Sequence, residues 1–209
     1  MWKTYQVEQQ FTTPFASSTP KNPKDIEAML SSRAPSKPPE DAIPLPELAE
    51  EVAGEVEATE EVERGYATFK RDDKGLYYEA RCVRAHIKDC ANILRKRLAI
   101  PAFKAKVANR VYVEPAKIRV LRGGKAIQEP DGSEIRIVHA LTPKGPRSSL
   151  KTIDYVDSPK LQFQLKVLDD GVITQGMLES IFEYGGQHGE GQERSQDWGK
   201  YVFKLEEVK

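Results

Sequence analysis

The segment from Glu79 to Leu98 has the clearest helical periodicity in the chain. Apolar residues recur there at the spacing of a single helix face, at Val83, Ile87, Cys90, Leu94 and Leu98. Such a helix is stable when this face packs against another layer of structure. A chain of 209 residues is long enough for one well-sized domain, so we expect a single domain over residues 1–209 with one core.

Alternating apolar and polar residues predict that the other layer is a β-sheet. The pattern indicates strands at residues 4–11, 134–141, 161–167 and 199–208, and a hairpin that turns at residues 72–75. Residues 110–113 and 116–121 fit two short strands or one kinked strand. Thr174 can cap a second helix, and a short helix is expected between Asn22 and Pro35. This order of elements favours an α+β fold, with a ferredoxin-like (RRM-like) antiparallel sheet and helices packed on one face.

Residues 35–63 differ in composition from the rest of the chain. They are rich in Pro, Glu and Ala and contain few large apolar residues, so they bury too little surface to offset the entropy of ordering. We interpret them as a long, flexible acidic insertion. Residues 47–61 could form a transient acidic helix, but Val52 and Val56 alone make a narrow apolar stripe.

Acidic and basic residues are distributed unevenly along the chain. The whole sequence has 32 basic and 32 acidic residues, but residues 1–65 hold 6 Lys/Arg against 13 Asp/Glu, and the remainder holds 26 against 19. A net basic body favours a polyanionic partner. An acidic segment in the same chain can screen this basic body or mimic the partner. An ordinary solvated surface with an acidic linker explains these numbers equally well.

Two groups of basic residues are candidate phosphate contacts. The first lies on the polar face of the long helix and comprises Arg81, Arg84, Lys88 and Arg95. The second lies in a polar segment from Thr142 to Thr152, which we interpret as a loop, and comprises Lys144, Arg147 and Lys151. The helix cations also fit the solvated side of an ordinary amphipathic helix. Tyr77, Tyr78 and Trp198 could stack on bases, although aromatic residues beside strands are more often core.

A glycine-rich turn, Gly185 to Arg194, separates the helix after Thr174 from the last strand. Glycine tolerates positive φ and has no Cβ, so Gly189 and Gly191 would let the backbone approach a ligand closely. Arg194 is the cation of this turn. It has an alternative structural role, because it could pair with Glu190 or Asp197 and hold the shape of the turn.

Three histidines are candidates for proton transfer. His86 and His139 adjoin apolar residues and are expected to be buried, whereas the glycine-rich turn would expose His188 near charged residues as a catalytic acid or base. No group of His, Cys and carboxylate residues has metal-ligand spacing, and Cys82 and Cys90 match no zinc or redox motif. We therefore expect no metal and no cofactor.

The chain resembles the RAMP superfamily, whose members build the RNA-binding backbone and processing subunits of CRISPR effector complexes. The resemblance rests on the first strand, on Tyr77 and Tyr78 leading into the helix from Arg81 to Arg97, and on the turn from Gly185 to Gly191 before the last strand. The run from Gly189 to Tyr201 also resembles the C-terminal signature of small phage-encoded proteins related to that superfamily. One departure is the acidic character of the turn, because the family's glycine-rich loop usually carries more positive charge.

The resemblance implies a protein of phage or mobile-element type that binds single-stranded RNA or DNA, with RNA favoured. It also implies a homo-oligomer or a subunit of a larger complex. One alternative is a metal-independent endoribonuclease centred on His188, since the superfamily includes such enzymes. Another is a non-enzymatic phage interaction or anti-defence protein that acts through residues 40–63. The sequence leaves an RNA, a DNA and a protein partner open.

The sequence also predicts the cellular location of the protein. No apolar run approaches the roughly 18 residues of a membrane span. The first residues lack the apolar stretch of a signal peptide, so a cytoplasmic, reducing location is expected.

Overall fold

The computed structural model describes residues 1–35, 42–61, 65–142 and 145–208. These residues form five α-helices: α1 (Pro23–Arg33), α2 (Leu45–Val56), α3 (Ala80–Leu94), α4 (Phe103–Arg110) and α5 (Gln175–His188). The strands are β1 (Trp2–Phe11), β2 (Thr19–Pro20), β3 (Tyr66–Thr68), β4 (Lys70–Asp72), β5 (Gly75–Glu79), β6 (Val111–Glu114), β7 (Lys117–Arg122), β8 (Lys125–Ala126), β9 (Gly132–Thr142), β10 (Gly145–Tyr155), β11 (Lys160–Leu168) and β12 (Tyr201–Val208). The α+β class predicted from the sequence is confirmed.

The chain divides into two compact units where the sequence predicts one core. Unit 1 comprises Met1–Phe15, Tyr77–Ile127 and Val156–Lys209. Unit 2 comprises Ala16–Leu76 and Gln128–Tyr155. The long helix and the glycine-rich segment both belong to unit 1.

Unit 1 is built on an antiparallel sheet in which β1 is a central strand. β1 pairs with β12 and with β11, so Val7 lies between Leu205 and Phe163. β11 also pairs with β6 and β7, and β7 pairs with β5 and β8. The residues of β1 from Thr4 to Phe11 alternate between partly exposed and buried, so the odd-numbered side chains enter the core and the even-numbered ones lie on the outer face.

Two helices supply the apolar layer that the sheet of unit 1 needs. α3 packs against α5, and α5 packs against β12. The buried side of α3 contains Val83, Ile87, Cys90 and Leu94, as its periodicity predicts. α3 ends at Leu94, four residues before the predicted end, and α4 follows it. The sequence does not predict α4, a helix of eight residues that buries Phe103 and Val107.

Helix α5 begins where the sequence predicts, because the Thr174 hydroxyl accepts a hydrogen bond from the Met177 amide. It ends later than predicted. Gly185 and Gly186 lie inside its last turn, and His188 is its last residue. The predicted glycine-rich turn therefore begins only at Gly189.

Unit 2 has a four-stranded sheet in the order β2-β3-β10-β9, with β10 parallel to β3 and antiparallel to β9. Helices α1 and α2 pack together through a buried cluster of Ile26, Val52 and Val56. The prediction of a loop is therefore wrong for residues 45–56, because the narrow stripe of α2 meets an apolar partner on α1. Residues 36–41 and 62–63 of the predicted insertion lie outside the described residues.

The prediction of a loop from Thr142 to Thr152 is also wrong. Gly145–Tyr155 forms β10, which pairs with β9 along its whole length. Few large apolar residues mark this strand in the sequence, and its partner supplies the backbone hydrogen bonds that define it. The described helices all lack the length and apolarity that crossing a membrane requires.

Candidate nucleic-acid interface

The glycines at the end of α5 allow this helix to lie against its neighbours. A Cβ added at Gly185 would lie 2.6 Å from the His86 Nε2 atom and closer still to the Tyr201 hydroxyl. A Cβ at Gly186 would collide with the Tyr201 carbonyl oxygen. These two residues therefore serve close packing of α5 against α3 and β12.

The turn after α5 folds inward over the start of β12. Gly189 has φ 80° and Gly199 has φ 73°, a region that favours glycine. The Glu190 amide donates to the Gly199 carbonyl at 2.9 Å, and the Gly199 amide donates to the Pro14 carbonyl at 2.8 Å. A Cβ at Gly199 would collide with the Glu190 carbonyl oxygen. Gly189 and Gly191 are the predicted ligand contacts in this turn. A Cβ at Gly189 would collide with the Trp198 carbonyl oxygen, so Gly189 packs against the protein itself. Gly191 has φ 88°.

Glu190 is the buried centre of this turn. Its side chain is 0 % exposed, and its Oε2 atom accepts a hydrogen bond of 2.9 Å from the Gln9 amide on β1. Burial raises the pKa of Glu190 from 4.5 to about 7. Within the part of the chain that the structure describes, the other carboxylate oxygen of Glu190 and the Gln9 Oε1 atom have no hydrogen-bond partner.

His86 lies beside Glu190 but is not its ion-pair partner at neutral pH. Its Nε2 atom is 3.9 Å from the Glu190 carboxylate and 3.0 Å from the Tyr201 hydroxyl. Burial lowers the pKa of His86 from 6.5 to about 3, so this side chain is neutral at neutral pH. His86 is buried, as predicted. The backbone at His139 lies in β9.

His188 and Arg194 meet at the edge of the turn. The Arg194 guanidinium donates to the His188 Nε2 atom at 2.9 Å and lies 3.3 Å from the Asp89 carboxylate on α3. The His188 Nε2 atom is also 3.6 Å from that carboxylate. Arg194 thus joins the turn to α3 through Asp89, and Asp197 instead pairs with Lys200 at 2.6 Å.

Two of the four cations predicted for the long helix, which lie on α3 or at its end, are engaged with neighbouring protein groups. Arg81 pairs with the Glu79 carboxylate. Arg84 donates a hydrogen bond of 2.5 Å to the Ala108 carbonyl on α4, and its guanidinium lies 4.5 Å from the centre of the Tyr112 ring. Arg84 therefore helps to hold α4 and β6 against α3.

The other two cations, Lys88 and Arg95, meet in a groove between α3 and α4. This groove has a volume of about 380 Å³, and Lys104 brings a third cation to it. We call it the basic groove; its remaining lining residues are Asn92, Ala102, Phe103, Ala105 and Ala108. Among the described residues, no carboxylate forms an ion pair with these three cations. Lys104 was missed because the helix that presents it was not predicted.

The second predicted basic group lies on the β9–β10 hairpin of unit 2. Lys151 lies in β10 and is partly exposed. Arg147 lies in the same strand. Lys144 falls outside the described residues.

The predicted stacking residues do not present free rings. Tyr77, Tyr78 and Trp198 are 2 %, 6 % and 7 % exposed, so they belong to the core of unit 1. The exposed aromatic side chains of unit 1 include Trp2 and Tyr112. Sequence reasoning missed them because alternation along a strand does not say which face another layer covers.

No family model matches the sequence, and no curated protein matches it. Among solved structures, the chain is similar to a chain in a cryo-EM structure of the Type III-B Cmr-beta bound to cognate target RNA. The TM-score is 0.50 and the identity is 10 %, and the match covers 100 % of this chain and 61 % of that chain. At this identity the likeness is one of fold, and it supports the RAMP-like fold that the sequence resemblance implies.

Proposed function

We propose that this chain is a nucleic-acid-binding protein that holds single-stranded RNA along the basic groove. The observation that carries the proposal is the convergence of Lys88, Arg95 and Lys104 in one groove, where no carboxylate of the described part of the chain pairs with them. Cations that have no partner in the protein are available to phosphate oxygens, and neutralising phosphates supplies most of the affinity of sequence-independent binding.

The charge around the groove favours the same partner. Residues 77–127, which include α3 and α4, hold 13 Lys/Arg against 3 Asp/Glu. A concentration of one sign of charge raises the local concentration of a polyanion and speeds its association. The acidic residues of the glycine-rich turn make that turn a weaker candidate for phosphate, and we therefore place the backbone of the nucleic acid at α3 and α4.

The preference for RNA rests on analogy of fold. The solved structure that this chain resembles contains target RNA, and the sequence resembles a superfamily of RNA-binding subunits. We include in the same proposal a place in the RAMP superfamily, a ferredoxin-like topology for unit 1, an intracellular location and a role as a subunit of a larger assembly. A phage-type origin and self-assembly rest on the sequence resemblance alone.

We propose binding without cleavage. The His188 Nε2 atom accepts a hydrogen bond from Arg194, so one of the two ring nitrogens that could exchange a proton with a substrate is already engaged. The basic groove is lined by residues of α3, α4 and the segment that joins them, and contains no histidine among the described residues that line it.

The test is a double charge reversal, Lys88→Glu with Arg95→Glu, measured by fluorescence anisotropy with a labelled single-stranded RNA. We expect the Kd to rise at least about tenfold, since each reversal replaces a phosphate contact by a repulsive charge. The matched control is Arg81→Glu with Lys204→Glu, which changes the net charge equally. Arg81 is already paired, and Lys204 is an exposed residue of β12.

Equal affinity in the groove variant and the wild type would disprove the proposal. An equal loss in the groove variant and the control would also contradict it, because the effect would then follow from net charge. Arg84 is unsuitable for this test, since its reversal would disturb the packing of α4 as well as any phosphate contact.

A further inference from the structure

Two aromatic side chains of unit 1 are exposed next to one another on the sheet. Trp2 on β1 is 47 % exposed and Tyr112 on β6 is 39 % exposed. Their ring centroids are 5.6 Å apart and their planes meet at 79°. We call this pair the aromatic platform.

The register of the strands places both rings on the outer face of the sheet. Trp2 has the same parity along β1 as Thr4 and Gln6, which lie on the outer face. Tyr112 lies opposite Lys166 of β11, whose neighbours Leu165 and Val167 are buried. Both rings therefore belong to the side that the core does not cover.

The aromatic platform adjoins the basic groove through one side chain. The Arg84 guanidinium lies 4.5 Å from the centre of the Tyr112 ring and donates to the Ala108 carbonyl. Ala108 is also a lining residue of the basic groove. Arg84 thus links the Tyr112 ring of the platform to a lining residue of the basic groove.

We propose that an unpaired base stacks on the aromatic platform while the phosphates of the same strand occupy the basic groove. This inference rests on the proposed function and adds to it the recognition of bases. Exposed aromatic rings beside a positively charged groove are the combination that binds single strands, because every base has a π-face and a phosphate beside it. A duplex keeps its bases stacked inside, so the occupant is single-stranded nucleic acid.

Two probes separate the two parts of the surface. One is a labelled uridine homopolymer of about 12 nucleotides, and the other is a sugar-phosphate strand of the same length without bases. The variants are Trp2→Ala and Tyr112→Ala, with Val202→Ala as the control. Val202 is an exposed apolar residue on β12, 59 % exposed, and contributes no ring.

For the base-bearing probe, we expect the Kd to rise about fivefold or more in each aromatic variant and to stay unchanged in the control. For the abasic probe, we expect no change in any of the three. Trp2→Phe retains a ring and should bind the uridine probe nearly as well as the wild type. Binding by Trp2→Phe would show that the loss in Trp2→Ala comes from the missing ring and not from loss of structure.

Tryptophan fluorescence gives a second readout of stacking. Trp198 is the other tryptophan and is 7 % exposed, so a base stacked on Trp2 should quench the wild-type emission, and Trp2→Phe should lose this quenching. If both probes bind equally to the wild type and to the aromatic variants, the inference is overturned while the proposed function stands. If neither probe binds the wild type, the proposed function fails, and the inference fails with it.

Discussion

Two buried side chains of unit 1, Glu190 and His86, change protonation in opposite senses when the chain unfolds. The pKa of Glu190 is about 7 in the folded chain against 4.5 for the free group, so the free energy of unfolding falls as the pH rises between these values. The pKa of His86 is about 3 against 6.5, so the free energy of unfolding rises with pH between those values. From pH 4.5 to 6.5 the two effects oppose each other.

Replacing Glu190 by Gln should reveal the contribution of Glu190 to the pH dependence of the free energy of unfolding. At pH 8 the carboxylate of the wild type is charged and buried, whereas the amide is neutral and keeps an oxygen that can accept the hydrogen bond from Gln9. We expect Glu190→Gln to raise the free energy of unfolding by about 2 to 3 kcal/mol at pH 8 and to leave it nearly unchanged at pH 4. Urea denaturation at both pH values measures the difference, and Glu183→Gln on the exposed side of α5 is the control. The same change at both pH values would show that the charge of Glu190 is not the cause.

The variant His188→Ala tests whether the protein cleaves RNA in addition to binding it. If His188 only supports the turn through Arg194, the variant should bind single-stranded RNA as the wild type does, because the basic groove lies elsewhere on α3 and α4. Gel analysis of RNA incubated with each protein should show intact RNA in both. RNA that the wild type cuts and the variant leaves whole would establish His188 as catalytic and overturn the proposal of binding alone.

The sequence predicts which residue types the candidate site contains but not which groups those residues contact. Arg81, Arg84, Lys88 and Arg95 are all cations of α3 or its end, yet the structure engages the first two and leaves the last two in the groove. The partner of Arg84 is a carbonyl 24 residues away, and no local pattern reports such a contact. Lys104 went unnoticed for the same reason, since its position depends on how α4 packs.

At the scale of elements, substitutions at two glycines of α5, Gly185 and Gly176, would test how closely this helix packs against its neighbours. A Cβ at Gly185 would contact His86 and Tyr201, whereas a Cβ at Gly176 in the same helix would meet no atom of the described residues within 4 Å. We expect Gly185→Ala to lower the free energy of unfolding by about 1 to 3 kcal/mol or more, as overpacking does. Gly176→Ala should raise it by roughly 0.5 to 1 kcal/mol, since alanine favours helices. Thermal unfolding of both variants makes the comparison, and equal effects would mean that α5 does not approach its neighbours this closely.

Elements whose pattern shows in their own residues were predicted well, and elements that depend on a distant partner were not. The apolar stripe of α3 and the alternation of β1 and β11 are local, so their positions follow from the sequence. The stripe of α2 is narrow and needs Ile26 of α1, and β10 has few apolar residues and needs β9. Local propensity is a weak guide for such segments, because their stability comes from tertiary contacts.

At the scale of the whole molecule, the neutral net charge conceals two units of opposite sign. The ranges of unit 1 hold 20 Lys/Arg against 14 Asp/Glu, and those of unit 2 hold 12 against 18. The division found in the sequence, between residues 1–65 and the rest, is therefore only an approximation to the structural one. A polyanion should be attracted to unit 1 and repelled by unit 2, so the salt dependence of binding should reflect the cations of unit 1 alone.

Removing cations from the basic groove should change the salt dependence of binding by a defined amount. Each phosphate that a protein cation neutralises on a single strand adds about −0.7 to the slope of log K against log salt concentration. Removing two groove cations with Lys88→Glu and Arg95→Glu should therefore make the slope shallower by about 1.4. The Arg81→Glu and Lys204→Glu control has the same net charge as the groove variant but should keep the wild-type slope. The reason is that those side chains release no counterions from the strand. A slope that follows net charge in all three proteins would show that the nucleic acid samples the whole basic surface of unit 1 and does not occupy the groove.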